Sequence, residues 1–123
     1  MIEVKNLSKK FKAPSEEKGI FGFKKKDFWA VKDLNFEIKE GSVASILGPN
    51  GCGKTTTLRM IAGMLTPSKG TAFIDSIDVR KDKQAVKSKI GYMTNNTSLY
   101  DRLNVLETIK FFAELNQIPE DIY

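Results

Sequence analysis

The chain places three glycines within six positions, between an apolar run and an amphipathic segment. Gly48, Gly51 and Gly53 follow the apolar run 43–47, and Lys54 comes directly after them. Glycine weakens the interior of a helix or strand, so the cluster is either a flexible turn or a loop whose backbone approaches another group closely. The apolar run is typical of a strand buried on both faces of a parallel sheet. This order of strand, loop and helix predicts an α/β fold.

The spacing of these residues matches a known phosphate-binding pattern. Gly48-x-x-x-x-Gly53-Lys54-Thr55 is the Walker A, or P-loop, pattern, and it lies after the predicted strand and before the predicted helix. Glycines let successive N–H groups turn toward an anion, and the helix N-terminus adds positive potential. In this pattern Lys54 reaches the β- and γ-phosphates, while the Thr55 hydroxyl is a ligand of Mg²⁺. The pattern therefore predicts nucleotide binding.

Composition excludes several other classes of protein. The 123 residues leave room for one domain, and 41% hydrophobic with 28% charged residues is typical of a soluble globular chain. No apolar run approaches the roughly 20 residues of a membrane span, and the polar N-terminus does not resemble a signal peptide. One cysteine excludes an internal disulfide, and the lack of histidine excludes any histidine-based metal site or catalytic triad.

The positive charge is concentrated near the N-terminus. Residues 1–32 hold nine lysines against four acidic residues, whereas residues 33–123 hold eleven basic and eleven acidic residues. Because the surplus is local, we expect no nucleic-acid partner. Residues 13–27 are predicted to be a basic loop inserted between the first two strands. Its lysines 24–26 either contact an anionic membrane surface or a transmembrane partner, or the loop is simply solvated.

The pattern of apolar residues gives a coarse map of the elements. It predicts strands over 2–5, 34–39, 43–47, 71–74 and 90–93, and helices from Lys54 and over 82–89. In the first helix, Leu58, Ile61, Ala62 and Leu65 share one face.

A third helix is predicted near the C-terminal end of the sequence. Asn104 and Glu107 form a capping-box pattern that would open it. Val105, Ile109 and Phe112 are expected to face inward, and Pro119 limits the far end.

Residues 47–56, Leu-Gly-Pro-Asn-Gly-Cys-Gly-Lys-Thr-Thr, resemble the Walker A loop of ABC transporter ATP-binding subunits. The flanking segments 30–41 and 63–70 are similar to the same family, and residues 91–103 resemble its Q-loop region. Within the family, residues 94–103 look most like ATP-binding subunits of sodium-extruding exporters. The resemblance implies that residues 1–123 are the N-terminal part of an ABC ATP-binding domain. Such a domain is a P-loop NTPase-type mixed sheet with an N-terminal antiparallel β part, here ending before the Walker B strand.

The resemblance also implies a set of site residues for ATP and Mg²⁺. Those expected to contact the nucleotide are Phe11, Gly48, Pro49, Asn50, Gly51, Cys52, Gly53, Lys54, Thr55 and Thr56. Thr55 is the expected Mg²⁺ ligand, and residues 48–56 form the Walker A segment.

Three of these assignments leave alternatives open. Phe11 either stacks on adenine or is a hydrophobic residue that closes its strand, and Phe28 and Trp29 are rivals for stacking. Asn95 stands where the family has the Q-loop glutamine, so it is either a metal ligand or a turn residue. Cys52 stands where alanine or serine is usual, and is either a reactive thiol or a small, tolerated side chain.

The catalytic set of the resembled family is incomplete in this chain. There is no Leu-Ser-Gly-Gly-Gln signature and no apolar strand ending in Asp-Glu. Asp75 is the residue most similar to the aspartate of such a strand, but Ser76 follows it where the glutamate is expected. A strand that ends in a polar turn explains both residues. We therefore expect a fragment that binds MgATP without turning it over.

The resemblance implies partners and a location as well. They are a transmembrane permease subunit, a second ATP-binding subunit in a dimer, and the cytoplasmic face of the cell membrane. Other readings are a soluble ABC-type ATPase of translation or repair, another P-loop nucleotide-binding protein such as a small kinase, and a non-catalytic interaction module.

Overall fold

The core of the computed structural model, which describes residues 1–19, 22–94 and 102–122, is an antiparallel sheet. Its described strands are β1 (Ile2–Gly19), β2 (Gly22–Ile38), β3 (Lys69–Ile74) and β4 (Ile77–Asp78), in the order β2-β1-β3-β4. The alternation of apolar and polar residues sets the register, with Val4 opposite Phe36 on one side and Ala72 on the other. The predicted strands over 2–5, 34–39 and 71–74 are confirmed, as is the antiparallel N-terminal part.

Strands β1 and β2 form a hairpin much longer than the sequence predicts. The loop expected over 13–27 is wrong for the described part of that segment, because the backbone of 12–19 pairs with that of 22–27. The pairing of β1 with β2 continues through this segment, where Ala13 lies opposite Lys26 and Lys18 lies opposite Phe23. Pro14, which has no N–H to donate, lies beside an irregularity in the register, where a proline is tolerated.

Two helices pack with this sheet. Helix α1 (Lys54–Ile61) and helix α2 (Lys83–Lys89) both begin where the sequence predicts, and the Asp82 side chain caps α2 by accepting a hydrogen bond from the Ala85 N–H at 2.9 Å. The buried cluster contains Val4, Leu7, Met60, Ile61, Ala72, Ile74, Val79 and Val86. The predicted inner face of α1 is partly wrong, because Leu58 is exposed and Met60 is buried in its place.

The two strands predicted at 43–47 and 90–93 do not form. Val43 is 99% exposed and Leu47 is 90% exposed, and neither segment belongs to a strand. A strand is buried on both faces of a parallel sheet only when it pairs with neighbouring strands. The described strands pair antiparallel with one another and none of them pairs with 43–47, so its apolar pattern is not matched by burial.

The second compact unit begins at Gly91 and contains helix α3 (Val105–Leu115) and a 3₁₀ turn over Glu120–Ile122. The predicted capping box is present. The Asn104 carboxamide accepts from the Glu107 N–H at 3.0 Å, and the Glu107 carboxylate accepts from the Asn104 N–H at 2.8 Å. The predicted inward stripe is wrong, since Val105 is 78% exposed and Ile109 and Phe112 are also exposed. Among the described residues of α3, Ala113 alone is buried.

No described helix could cross a membrane. The longest one, α3, has 11 residues, about half of what a bilayer core requires.

Candidate functional site

The glycine-rich loop adopts backbone angles that side chains disfavour. Gly51 and Gly53 have φ of 83° and 97°, in the left-handed region. Gly48 has φ of 155°, and a Cβ added there would lie 2.7 Å from the Cys52 Sγ. The three glycines therefore allow a tight loop, in which the missing Cβ of Gly48 leaves room for the Cys52 side chain.

The loop lies close to strand β2 at Gly53. A Cβ added to Gly53 would overlap the Ala30 carbonyl oxygen and lie 3.0 Å from the Val31 Cγ2. Ala30 is a bulged residue, because Lys9 pairs with Val31 while Lys10 pairs with Trp29. Sequence patterns gave no sign that Ala30 supports the loop. A register shift between two strands is visible only once the strands are paired.

The Lys54 side chain folds back over the loop. Its ammonium group donates hydrogen bonds to the carbonyls of Gly48, at 2.6 Å, and Pro49, at 2.7 Å. The Pro49 carbonyl also accepts from the Cys52 N–H at 3.3 Å, which closes the turn. One positive charge is thus fixed beside a loop of exposed backbone.

Helix α1 begins directly at this loop. Gly53 is its N-cap, no side chain caps the helix, and its first turn contains no acidic residue. The first N–H groups of a helix have no acceptor within the helix and carry its positive dipole end. Thr55 is exposed in this first turn. The arrangement suits a polyanion such as a triphosphate, with the Thr55 hydroxyl available to a metal ion that accompanies it.

The structure separates the three aromatic candidates for base stacking. Phe11 lies directly opposite Phe28 in the hairpin, and their ring centroids are 5.8 Å apart with a 30° tilt. Trp29 pairs with Lys10, and this pair is next to the Phe11–Phe28 pair along the strands. Because successive side chains of a strand alternate between faces, Trp29 lies on the opposite face of the sheet from Phe11 and Phe28. Lys9, two residues before Phe11, places its ammonium 5.3 Å from the Phe11 ring. Phe11 and Phe28 can therefore offer one shared surface, and Trp29 cannot join it.

The segment that follows α1 is tied to β1 and α2 by contacts that the sequence analysis missed. Lys9 of β1 donates to the Thr66 carbonyl at 2.8 Å, and Lys83 of α2 donates to the Thr66 hydroxyl at 2.7 Å. These bonds hold Thr66, which lies beyond the end of α1. No short-range sequence signal links residues 9, 66 and 83.

The remaining candidate residues are less informative. Asn95 lies outside the described residues. Cys52 is exposed and free. Asp75 and Ser76 have φ of 46° and 66° in the turn between β3 and β4, and the Asp75 carboxylate accepts from the Met1 amine at 2.7 Å. That hydrogen bond holds the pKa of Asp75 below its usual range. The position of Asp75 agrees with the polar-turn interpretation.

In the part of the chain that the structure describes, no cluster of three or more acidic, cysteine or histidine side chains could hold a metal ion.

Comparison with known proteins gives a consistent result. The ABC transporter family model matches residues 31–122. The probable multidrug ABC transporter ATP-binding protein YbhF of Escherichia coli (strain K12) is 35% identical over 113 residues, which cover 92% of this chain and 17% of that protein. The ABC transporter ATP-binding protein NatA of Bacillus subtilis (strain 168) is 45% identical over 96 residues, covering 77% of this chain and 39% of that protein.

Solved structures agree in fold. The dimeric post-hydrolysis structure of the ATP-binding cassette MJ0796, bound to ADP and Pi, superposes with a TM-score of 0.72 at 29% identity. The match covers 94% of this chain and 48% of that one. This chain therefore spans less than half the length of each of these three proteins.

Proposed function

Because the chain belongs to the ABC transporter family of ATP-binding proteins, we propose that it binds MgATP through residues 48–56. The observation that carries the proposal is the loop itself, with its left-handed glycines, the Lys54 ammonium and an uncapped helix N-terminus within one short segment. In the whole protein this site belongs to an ATP-binding subunit that couples ATP binding and hydrolysis to transport.

Each residue of the segment has a distinct role in the proposal. The Lys54 ammonium exchanges the neutral carbonyls of Gly48 and Pro49 for charged β- and γ-phosphate oxygens, which are stronger acceptors. The backbone N–H groups of residues 50–56 surround the phosphates. The Thr55 hydroxyl holds Mg²⁺, which neutralises phosphate charge. Asn95 remains a possible second ligand.

The base-binding part of the site is proposed at the hairpin. Phe11 stacks on adenine, and the Phe28 ring beside it extends the apolar surface. This part of the proposal is supported by the position of both rings on one face of the sheet, with Lys9 alongside.

We propose the partners and location on the strength of family membership. They are a second ATP-binding subunit, a transmembrane permease subunit and the cytoplasmic face of the cell membrane. The solved relative MJ0796 is described as dimeric, which supports the first of these.

The proposal is tested by calorimetric titration of MgATP into the chain and into Lys54→Ala. Loss of a charged hydrogen-bond donor should weaken binding by about 2 kcal/mol or more, which is about 30-fold. Lys87→Ala is the matched control, because Lys87 is an exposed lysine of α2 outside the loop. Equal affinities for Lys54→Ala and Lys87→Ala would refute the phosphate role of Lys54.

A further inference from the structure

A second charged site lies at the base of the β1–β2 hairpin. A surface groove of about 440 Å³ is lined by Lys10, Lys12, Asp27, Trp29, Ser68 and Lys69, here called the lysine groove. It forms where β1 and β2 extend past the start of β3, since Lys69 at that start pairs with Ser8.

The charges of the lysine groove are only partly balanced. Asp27 forms an ion pair with Lys10 and lies opposite Lys12, so the three lysines of the groove share one carboxylate among the groove residues. Trp29 is 39% exposed, and the ammonium groups of Lys10 and Lys69 lie 5.7 and 5.6 Å from the centre of its ring. The groove is therefore a positive surface built around an amphipathic indole.

The nucleotide site proposed above does not use this surface. Trp29 pairs with Lys10 and lies on the face of the hairpin opposite Phe11 and Phe28. The Walker A loop contacts β2 at Ala30 and Val31. A ligand of the lysine groove would therefore be distinct from the nucleotide.

We propose that the lysine groove docks on an anionic lipid bilayer. The inference rests on the proposed function, because membership of a membrane transporter family is what brings the chain close to a bilayer. Lysines attract anionic headgroups while their aliphatic stems cover apolar surface, and tryptophan prefers the membrane–water interface.

The surrounding charge supports a bilayer as the occupant. The paired strands that continue beyond the groove, residues 13–19 and 22–26, carry four more lysines against two glutamates. The whole positive surplus of the chain lies within residues 1–32. A bilayer can engage both the groove and the hairpin at once, whereas a small anion would engage only the groove.

The geometry also favours lipid over single-stranded nucleic acid. Binding of nucleic acid without sequence preference relies on bases that stack on exposed aromatic faces. Two ammonium groups already lie over the Trp29 ring, so a base would have to displace them. Anionic lipid headgroups, by contrast, can bind the ammonium groups of Lys10 and Lys69 without displacing them from the Trp29 ring.

The experiment is vesicle co-sedimentation of the 123-residue chain. Vesicles of phosphatidylcholine alone are compared with vesicles containing 30% phosphatidylserine, a composition of the order found in anionic leaflets. Trp29 is the one tryptophan of the sequence, so its fluorescence reports directly on the groove. We expect strong binding and a blue-shifted emission with the anionic vesicles only. Each lysine near the surface contributes about fivefold, so the double variant Lys12→Gln/Lys69→Gln should lower the partition coefficient more than tenfold.

Two variants serve as matched comparisons. Lys81→Gln/Lys87→Gln makes the same change in net charge with exposed lysines outside the groove, and should change partition less than about threefold. Asp27→Asn removes the acidic residue of the groove and should strengthen partition severalfold.

Several results would overturn the proposal. The first is equal binding to both kinds of vesicle, and the second is an equal loss of vesicle binding in the two double variants. The third is a saturable shift of Trp29 emission with glycerol phosphate that blocks vesicle binding. The fourth is quenching of Trp29 by an oligonucleotide that competes with vesicles. MgATP binding is measured by calorimetry on the same preparations. A failure of the ATP site and a failure of the lipid surface therefore give different results.

Discussion

Gly53→Ala is the change that probes most directly how the loop is held against the sheet. Gly53 has φ of 97°, and an added methyl group would overlap the Ala30 carbonyl oxygen in the bulge of β2. Gly51 is its natural comparison. It has a similar φ of 83°, but a Cβ added there would meet nothing within 4 Å.

The expected cost follows from these two contacts. Both variants pay for a left-handed backbone, about 1–2 kcal/mol each. Both also reduce the entropy of the unfolded chain by the same amount, which cancels in the comparison. Gly53→Ala alone must displace a strand carbonyl and the Val31 side chain, and such overpacking costs about 1–3 kcal/mol. We therefore expect Gly53→Ala to lower the free energy of unfolding by about 1–3 kcal/mol more than Gly51→Ala does.

The measurement is urea unfolding followed by the fluorescence of Trp29, with MgATP titration of the variants that remain folded. The m-values must be equal for the comparison to hold. If the two variants differ by less than about 0.5 kcal/mol, the loop is free to move away from β2. The close contact at Ala30 would then not be what positions the phosphate site.

The remaining predictions concern the base, a partly buried polar contact and turnover. Phe11→Ala should weaken ATP binding about tenfold and Phe28→Ala less, with inorganic triphosphate binding unchanged in both; equal losses of ATP and triphosphate would indicate misfolding instead. Burial opposes ionisation of Asp78, but hydrogen bonds from the Thr71 hydroxyl and the Arg80 N–H outweigh it and hold the pKa of Asp78 below 3.8. Ionised Asp78 therefore stabilises the fold above pH 3.8, and this stabilisation is lost as the pH falls through the lower pKa of the folded state. Asp78→Asn should therefore lower the free energy of unfolding, measured in urea, by about 1–2 kcal/mol at pH 7 and by progressively less below pH 3.8. Phosphate release from the chain at saturating MgATP should stay near background, because no complete catalytic set is encoded in it; a rate of about one per second that Lys54→Ala abolishes would contradict this.

Where a feature depends on neighbours along the chain, the sequence was sufficient to predict it. The capping box of Asn104 and Glu107 spans three residues and forms as predicted. The helix predicted over 82–89 is local in the same way, and α2 forms over Lys83–Lys89. The glycines of residues 48–53 predicted a loop before a helix, and α1 begins directly after Gly53.

Features that depend on which segments pair could not be predicted with the same success. The apolar run 43–47 has the pattern of a buried strand, yet burial requires neighbouring strands, and none of the described strands lies beside it. The same holds for α3, whose apolar residues would be inward only if another element covered them. The strand pairing of residues 13–19 and 22–27 was missed because ladder pairing between two polar strands leaves little trace in apolar periodicity.

The sequence by itself therefore determined the phosphate loop, since glycine conformation, lysine charge and the helix start are properties of adjacent residues. Only the tertiary structure decided that Ala30 supports this loop, and that Phe28 joins Phe11 while Trp29 joins the lysines of the opposite face. The physical reason is the register of β1 against β2. The bulge at Ala30 is one of the irregularities that set which residues lie opposite one another, and a shift of a single residue moves a side chain to the other face of the sheet.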